Sequence, residues 1–186
     1  MKTKILLTYL MTVCTFISLA QDTRKSEKLQ QTKLETFVSK TGVIIKFVDY
    51  KLPNLKLFLD GAETRIRQLS SGNTIGYFYQ IEKSGQYTNS TASIEYSDLL
   101  EVIKALSTLK ANADMDISSN PDYLENKFVT SDGFELGYYV NRNKIKWYLK
   151  LEKYGSDNTL FISDVETIEI AFQNAKSKIE ELKNKP

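Results

Sequence analysis

Residues 73–85 read NTIGYFYQIEKSG, and residues 143–155 read NKIKWYLKLEKYG. At a constant displacement of 70 positions, Asn73, Ile75, Glu82, Lys83 and Gly85 recur as Asn143, Ile145, Glu152, Lys153 and Gly155. Tyr77, Phe78 and Ile81 are replaced conservatively by Trp147, Tyr148 and Leu151. Further back, Ile66 falls on Leu136. Beyond the glycine the displacement drops to 66, and YSDLLEVIKALSTLK (96–110) aligns with ISDVETIEIAFQNAK (162–176). The slip falls where the first copy has a long turn, SGQYTNSTAS, and the second a short one, YGSDNT. Loop tips absorb such differences at little cost. One supersecondary unit is therefore written twice. Two copies make a pseudo-twofold domain, since a solenoid needs about three or more repeats.

The second copy shows what the unit is. In KIKWYLKLEK, Ile145, Trp147, Leu149 and Leu151 alternate with Lys146, Tyr148, Lys150 and Glu152. A period of two means a strand with one buried face. GFELGYYV places Phe134, Leu136, Tyr138 and Val140 on one face, and NRNK between the two runs is hairpin chemistry. ENKFVTSDG and NTLFI supply a preceding and a following strand. From Ser163 the apolar spacing becomes helical, through Val165, Ile168, Phe172, Ala175, Ile179 and Leu182. Ser163 and Glu166 fit a capping box, with Ser97-Asp98 in the same place in the first copy. There the helical stripe is Leu99, Val102, Ile103, Leu106 and Leu109.

The fold class that follows is α+β. Two tandem repeats of an antiparallel β-meander, each of about four strands, are followed by an α-helix, with the helices on one face of the sheet. An N-terminal helix is expected over 27–41, carrying Leu34, Phe37 and Val38 on one side and Gly42 as its stop. Repeat one covers 43–110 and repeat two 122–184. The acidic, polar stretch 111–121 (ANADMDISSNP) is expected to be a solvated connector. Its Asp114 and Asp116 lack the remaining ligands and the glycine of a calcium loop. In the first copy both 42–50 and 55–60 are expected to be extended, with Pro53 breaking between them, which gives that copy one extra strand.

Residues 1–20 have the layout of a secretory signal peptide. Lys2 and Lys4 precede the apolar run ILLTYLMTVCTFISLA, which ends in Ser18-Leu19-Ala20. The run falls short of the roughly 20 clean apolar residues of a spanning helix. Met11-Thr12-Val13 before Cys14 departs from the small residues that lipid attachment to cysteine requires. The expectation is a bacterial protein, periplasmic or extracellular, with residues 21–186 as one mature domain and no membrane span after cleavage. Cleavage leaves 166 of 186 residues, 23 basic and 23 acidic, with no cysteine. A neutral chain does not suit nucleic acid, which rewards a basic surface.

Histidine is absent and Cys14 is the single cysteine. Catalysis by Ser-His-Asp or Cys-His, His-ligated zinc and thiolate metal sites are thereby excluded. No phosphate-cradling glycine motif occurs. No cofactor, no metal and no catalytic residue is expected. Glu82 and Glu152, matched by the repeat, are the best candidates for a carboxylate pair. Each precedes a lysine at a strand end, where charge serves the hairpin. Asn89-Ser90-Thr91 matches a glycosylation acceptor and places a surface turn there.

The unit plan resembles that of the TATA-binding-protein-like fold and of tandem-repeat secreted inhibitor domains. That resemblance implies architecture only. The functional expectation is an exported, non-catalytic binding protein acting through the outward sheet face, on a protein or carbohydrate partner of the cell envelope. A small carboxylate-dependent hydrolase and a structural envelope subunit are the alternatives. The residues expected to touch the partner are Tyr139, Lys146, Tyr148 and Lys150, joined by Phe78, Arg65 and Arg67. They fall opposite the apolar alternation, so folding alone does not call for their rings and charges.

Overall fold

A computed structural model of the protein describes residues 31–57, 61–86, 88–142 and 144–185. The expected signal peptide and residues 27–30 of the expected helix lie outside them. A short helix, α1 (Lys33–Val38), is followed by β1 (Lys46–Lys56), β2 (Gly61–Ser71), β3 (Thr74–Lys83), β4 (Ser90–Glu95) and helix α2 (Tyr96–Ser118). The second unit comprises β5 (Leu124–Val129), β6 (Glu135–Asn141), β7 (Lys144–Lys150), β8 (Thr159–Ile162) and helix α3 (Val165–Lys183). The strands form two four-stranded antiparallel sheets in sequential order, β1 to β4 and β5 to β8.

The duplication is written into the pairing. Ile66 lies opposite Tyr79, and Leu136 opposite Leu149, both partners displaced by 70. Tyr79 in turn faces Ile94, and Leu149 faces Leu160, which is displaced by 66. The slip thus sits in the β3–β4 and β7–β8 turns, and the register of both sheets is otherwise the same. The helices keep it too. Val102, Leu106, Leu109 and Ala113 are buried on α2, and Ile168, Phe172, Ala175 and Ile179 on α3.

Each helix spans both units. Besides its own β3 and β4, α2 packs on β5, β6 and β7, whereas α3 packs on β1, β2 and β8, and the two helices lie against each other. Phe172 on α3 meets Tyr79 of the first sheet (ring centroids 5.9 Å) and Phe134 of the second unit (6.4 Å) edge-on. One core therefore serves both copies.

Four expectations need correction. The stretch 111–121 is not a solvated connector, because α2 continues to Ser118. Ala113 and Ile117 extend its apolar stripe into the core. The Asp116 carboxylate accepts hydrogen bonds from the Tyr138 hydroxyl (2.5 Å) and the Asn126 amide (2.9 Å) of the second sheet. The acidic residue that looked solvated is an internal anchor. Second, the first copy has no additional strand. Pairing shifts between Leu52 and Leu55, so β1 runs through Pro53 as a bulged edge strand. Third, α1 starts at Lys33, capped by Thr32 and Glu35 in a reciprocal capping box, and stops at Val38, short of residue 41. Fourth, the long helices are capped one or two residues away from the expected serines. Asp164 accepts from the Thr167 amide (2.7 Å), and Glu95 from that of Ser97 (2.8 Å).

Candidate functional site

The two long helices cover one face of each sheet. The opposite face of the first sheet carries Asp49 on β1, Arg65, Arg67 and Leu69 on β2, and Gly76, Phe78, Gln80 and Glu82 on β3. Asp49, Arg65, Arg67 and Glu82 are paired with one another or with neighbours on this face. Arg67 grips Asp49 through two nitrogens (2.8 and 2.6 Å). Arg65 donates to Gln80 (2.9 Å) and pairs with Glu82 (2.5 Å). The Arg67 guanidinium holds the Asp49 carboxyl below the ordinary carboxylate range, and Arg65 does the same for Glu82. Near Gly76 and Phe78 this face lies against Phe37 of α1. A Cβ built on Gly76 would stand 3.1 Å from the Phe78 ring and 3.2 Å from that of Phe37. The space that glycine leaves is thus filled by two aromatic rings. Leu69 and Phe78 beside it are 0% and 2% exposed. Phe78, Arg65 and Arg67 are accordingly all engaged in contacts within the fold. Phe78 is covered, and the two arginines form a cross-strand lattice that pins the strands together.

The second sheet brings four of the predicted residues onto its outward face and divides them into two groups. Tyr148 and Lys150 belong to a structural network. Tyr148 pairs across β6 with Gly137 and donates its hydroxyl to Glu125 on β5 (2.5 Å). The Tyr148 ring thus reaches across β6 at Gly137, a position that the close approach of β5 keeps free of a side chain. A Cβ there would stand 2.6 Å from the Asn126 carbonyl. Tyr148 is consequently 6% exposed, and burial pushes its hydroxyl pKa up, with Glu125 adding to the effect. Lys150 (3.1 Å) and Lys127 (2.9 Å) both bind Glu135. Burial acts to raise the Glu135 carboxyl, yet the two ammonium groups outweigh it and hold it below the usual range. Alternation along β7 marks Tyr148 as outward, which it is; it does not reveal that its hydroxyl is committed to Glu125 on β5. Replacing Tyr148 by serine is expected to destabilise the protein by about 3 kcal/mol, as loss of a packed aromatic ring requires. Denaturant unfolding measures it, and a change under about 0.5 kcal/mol, the surface norm, would contradict this placement.

Tyr139 and Lys146, paired across β6 and β7, are in a different position. With Asn141, Arg142 and Lys144 they line a shallow open depression of about 390 Å³ at the β6–β7 hairpin. Tyr139 stacks on Tyr123 (centroids 6.3 Å, planes at 25°) and meets Phe161 edge-on (6.4 Å). Tyr123 and Phe161 are both more than half exposed. Among the described residues no carboxylate pairs with Arg142, Lys144 or Lys146. Asn141, Arg142 and Lys144 read in the sequence only as hairpin chemistry, because they sit at and beside the strand ends, where alternation carries little information. Comparing the copies would have found the cations, since Gly72, Thr74 and Gly76 become Arg142, Lys144 and Lys146.

The repeat-matched carboxylates are both engaged. Glu82 binds Arg65 and Asn89, and Glu152 accepts the Thr91 amide (2.8 Å). Among the described residues no cluster of three metal-ligating side chains occurs, and no helix is long and apolar enough to cross a membrane. No protein-family model matches the chain, and neither a curated protein nor a solved structure matches it significantly.

Proposed function

We propose that the protein is an exported, non-catalytic recognition protein that engages an envelope partner through the outward face of its second sheet, centred on Tyr139 and Lys146. One observation carries this reading. The ground occupied by α1 on the first sheet, at Leu69 and Gly76, corresponds by register to Tyr139 and Lys146 on the second. In the first copy the chain covers that ground with its own Phe37. In the second, an aromatic ring and a lysine face outward, flanked by exposed Tyr123 and Phe161. Tyrosines with a polar tip and a rigid ring are the residues that contribute most to binding surfaces. The carboxylates that a hydrolase would draw on are tied up in structural contacts, which favours recognition over hydrolysis.

The test is a paired measurement on the exported protein and its Tyr139→Ser/Lys146→Ser variant. Unfolding free energy should change by no more than about 1 kcal/mol, the worth of an aromatic stack at the surface. Capture of the partner from the native envelope should fall sharply. Undiminished capture by a folded double variant would refute the assignment of this face.

A further inference from the structure

Among the described residues, those that line the depression are Tyr139, Asn141, Arg142, Lys144 and Lys146. Seventy positions earlier stand Leu69, Ser71, Gly72, Thr74 and Gly76. The backbone and the pairing are common to both copies, so the differences in side chain are not imposed by the strands. Three small neutral residues of the first copy have become three cations in the second. Leucine has become tyrosine, and serine has become asparagine. Every change adds a group able to bind something from solution.

Arg142 is the most telling of these changes. Its φ is 49°, in the left-handed region that glycine favours, and Gly72 holds the same place in the first copy with φ 57°. Folding is served better by the glycine. An arginine kept in a strained turn, at the rim of a depression and without an acidic partner among the described residues, points to a task other than folding.

The lining also defines the ligand. Lys146 stands where Gly76 leaves room for the Phe37 ring, so the second copy does not repeat the apolar plug of the first. Among the described residues the lining holds three cations and no carboxylate, which calls for a negative charge, and arginine holds a carboxylate or phosphate through two parallel hydrogen bonds. The Tyr139 ring offers a π face, to which the polarised C–H face of a pyranose is complementary. The Asn141 amide both donates and accepts, as sugar hydroxyls do. An acidic peptide would satisfy the cations, but a shallow depression with only one apolar wall gives its side chains no enclosure.

We infer that the depression binds an anionic saccharide, a pyranose bearing a carboxylate or phosphate group. Its ring stacks on Tyr139 and its charge is held by Arg142, Lys144 and Lys146. The inference rests on the recognition face proposed above and adds the chemistry of what is recognised there.

Titration calorimetry on the exported protein tests it with four probes: trigalacturonate, glucose 1-phosphate, maltotriose and hexaglutamate. At least one of the two anionic sugars should bind, more weakly as salt rises, while maltotriose and hexaglutamate bind far less. Preference for trigalacturonate assigns the charge to a uronate, and preference for glucose 1-phosphate assigns it to a phosphate. Arg142→Gly should weaken that binding about ten-fold or more, the worth of one charge-assisted contact, with a melting temperature equal to or above that of the parent. Equal binding of maltotriose, equal or tighter binding of hexaglutamate, or an Arg142→Gly variant that binds like the parent would each overturn the inference. Failure of both anionic sugars to bind would do the same. If capture by Tyr139→Ser/Lys146→Ser is nonetheless lost, the recognition face stands and only its ligand class falls.

Discussion

Replacing Trp147 by alanine should lower the unfolding free energy by about 3–5 kcal/mol, the usual cost of removing a large buried aromatic side chain. Trp147 is 4% exposed, lies edge-on to Tyr138 at 4.8 Å and pairs across the sheet with Ile162. Its loss opens a cavity beside the Tyr138–Asp116 hydrogen bond, through which α2 is fastened to the second sheet. Because Trp147 is the single tryptophan, its emission reports this region alone. The parent should emit at the short wavelength of a buried indole. Emission like that of free tryptophan in water would mean that β7 presents its faces the other way round. Tyr77, the repeat counterpart, is only half-buried at the margin of the core, so Tyr77→Ala should cost clearly less.

Phe172→Ala should cost a similar 3–5 kcal/mol, for a different reason. Phe172 touches Tyr79 of the first sheet and Phe134 of the second unit, so it couples the two copies. Chemical denaturation followed by circular dichroism should show one transition, moved to lower denaturant, since α2 and α3 each pack across both units. Two separated transitions in the variant, with the parent showing one, would locate the coupling in this side chain. Two transitions in the parent itself would contradict a shared core.

What could be read from the sequence was whatever repeats with a period. Alternation identifies the strands, the helical stripes identify α2 and α3, and the match at displacements of 70 and 66 establishes that the units are equivalent. Residues whose role depends on a distant partner are misread by the same logic. Asp116 looks solvated until Tyr138 is placed beside it. Phe78 looks outward and free until α1 is laid over Gly76. Tyr148 looks like a contact residue until its hydroxyl is seen to reach Glu125 two strands away. Periodicity reports which side of a strand a residue occupies; it does not report what covers that side. Of the seven residues singled out by alternation, Tyr139 and Lys146 line the open depression, and five serve the fold. Arg142 was hidden because turns have no period, and only its contrast with Gly72 exposes it.

Site-specific photo-cross-linking in cells that make the protein addresses the recognition face most directly. Phe161, beside Tyr139 on the second sheet, and Phe47, on the outward face of the first, are matched in exposure at 52% and 51%. Each is replaced in turn by benzoylphenylalanine and irradiated. The account predicts a discrete adduct from position 161 and none from position 47. An adduct from position 47 with none from position 161 would contradict it, and would move the recognition surface to the first sheet.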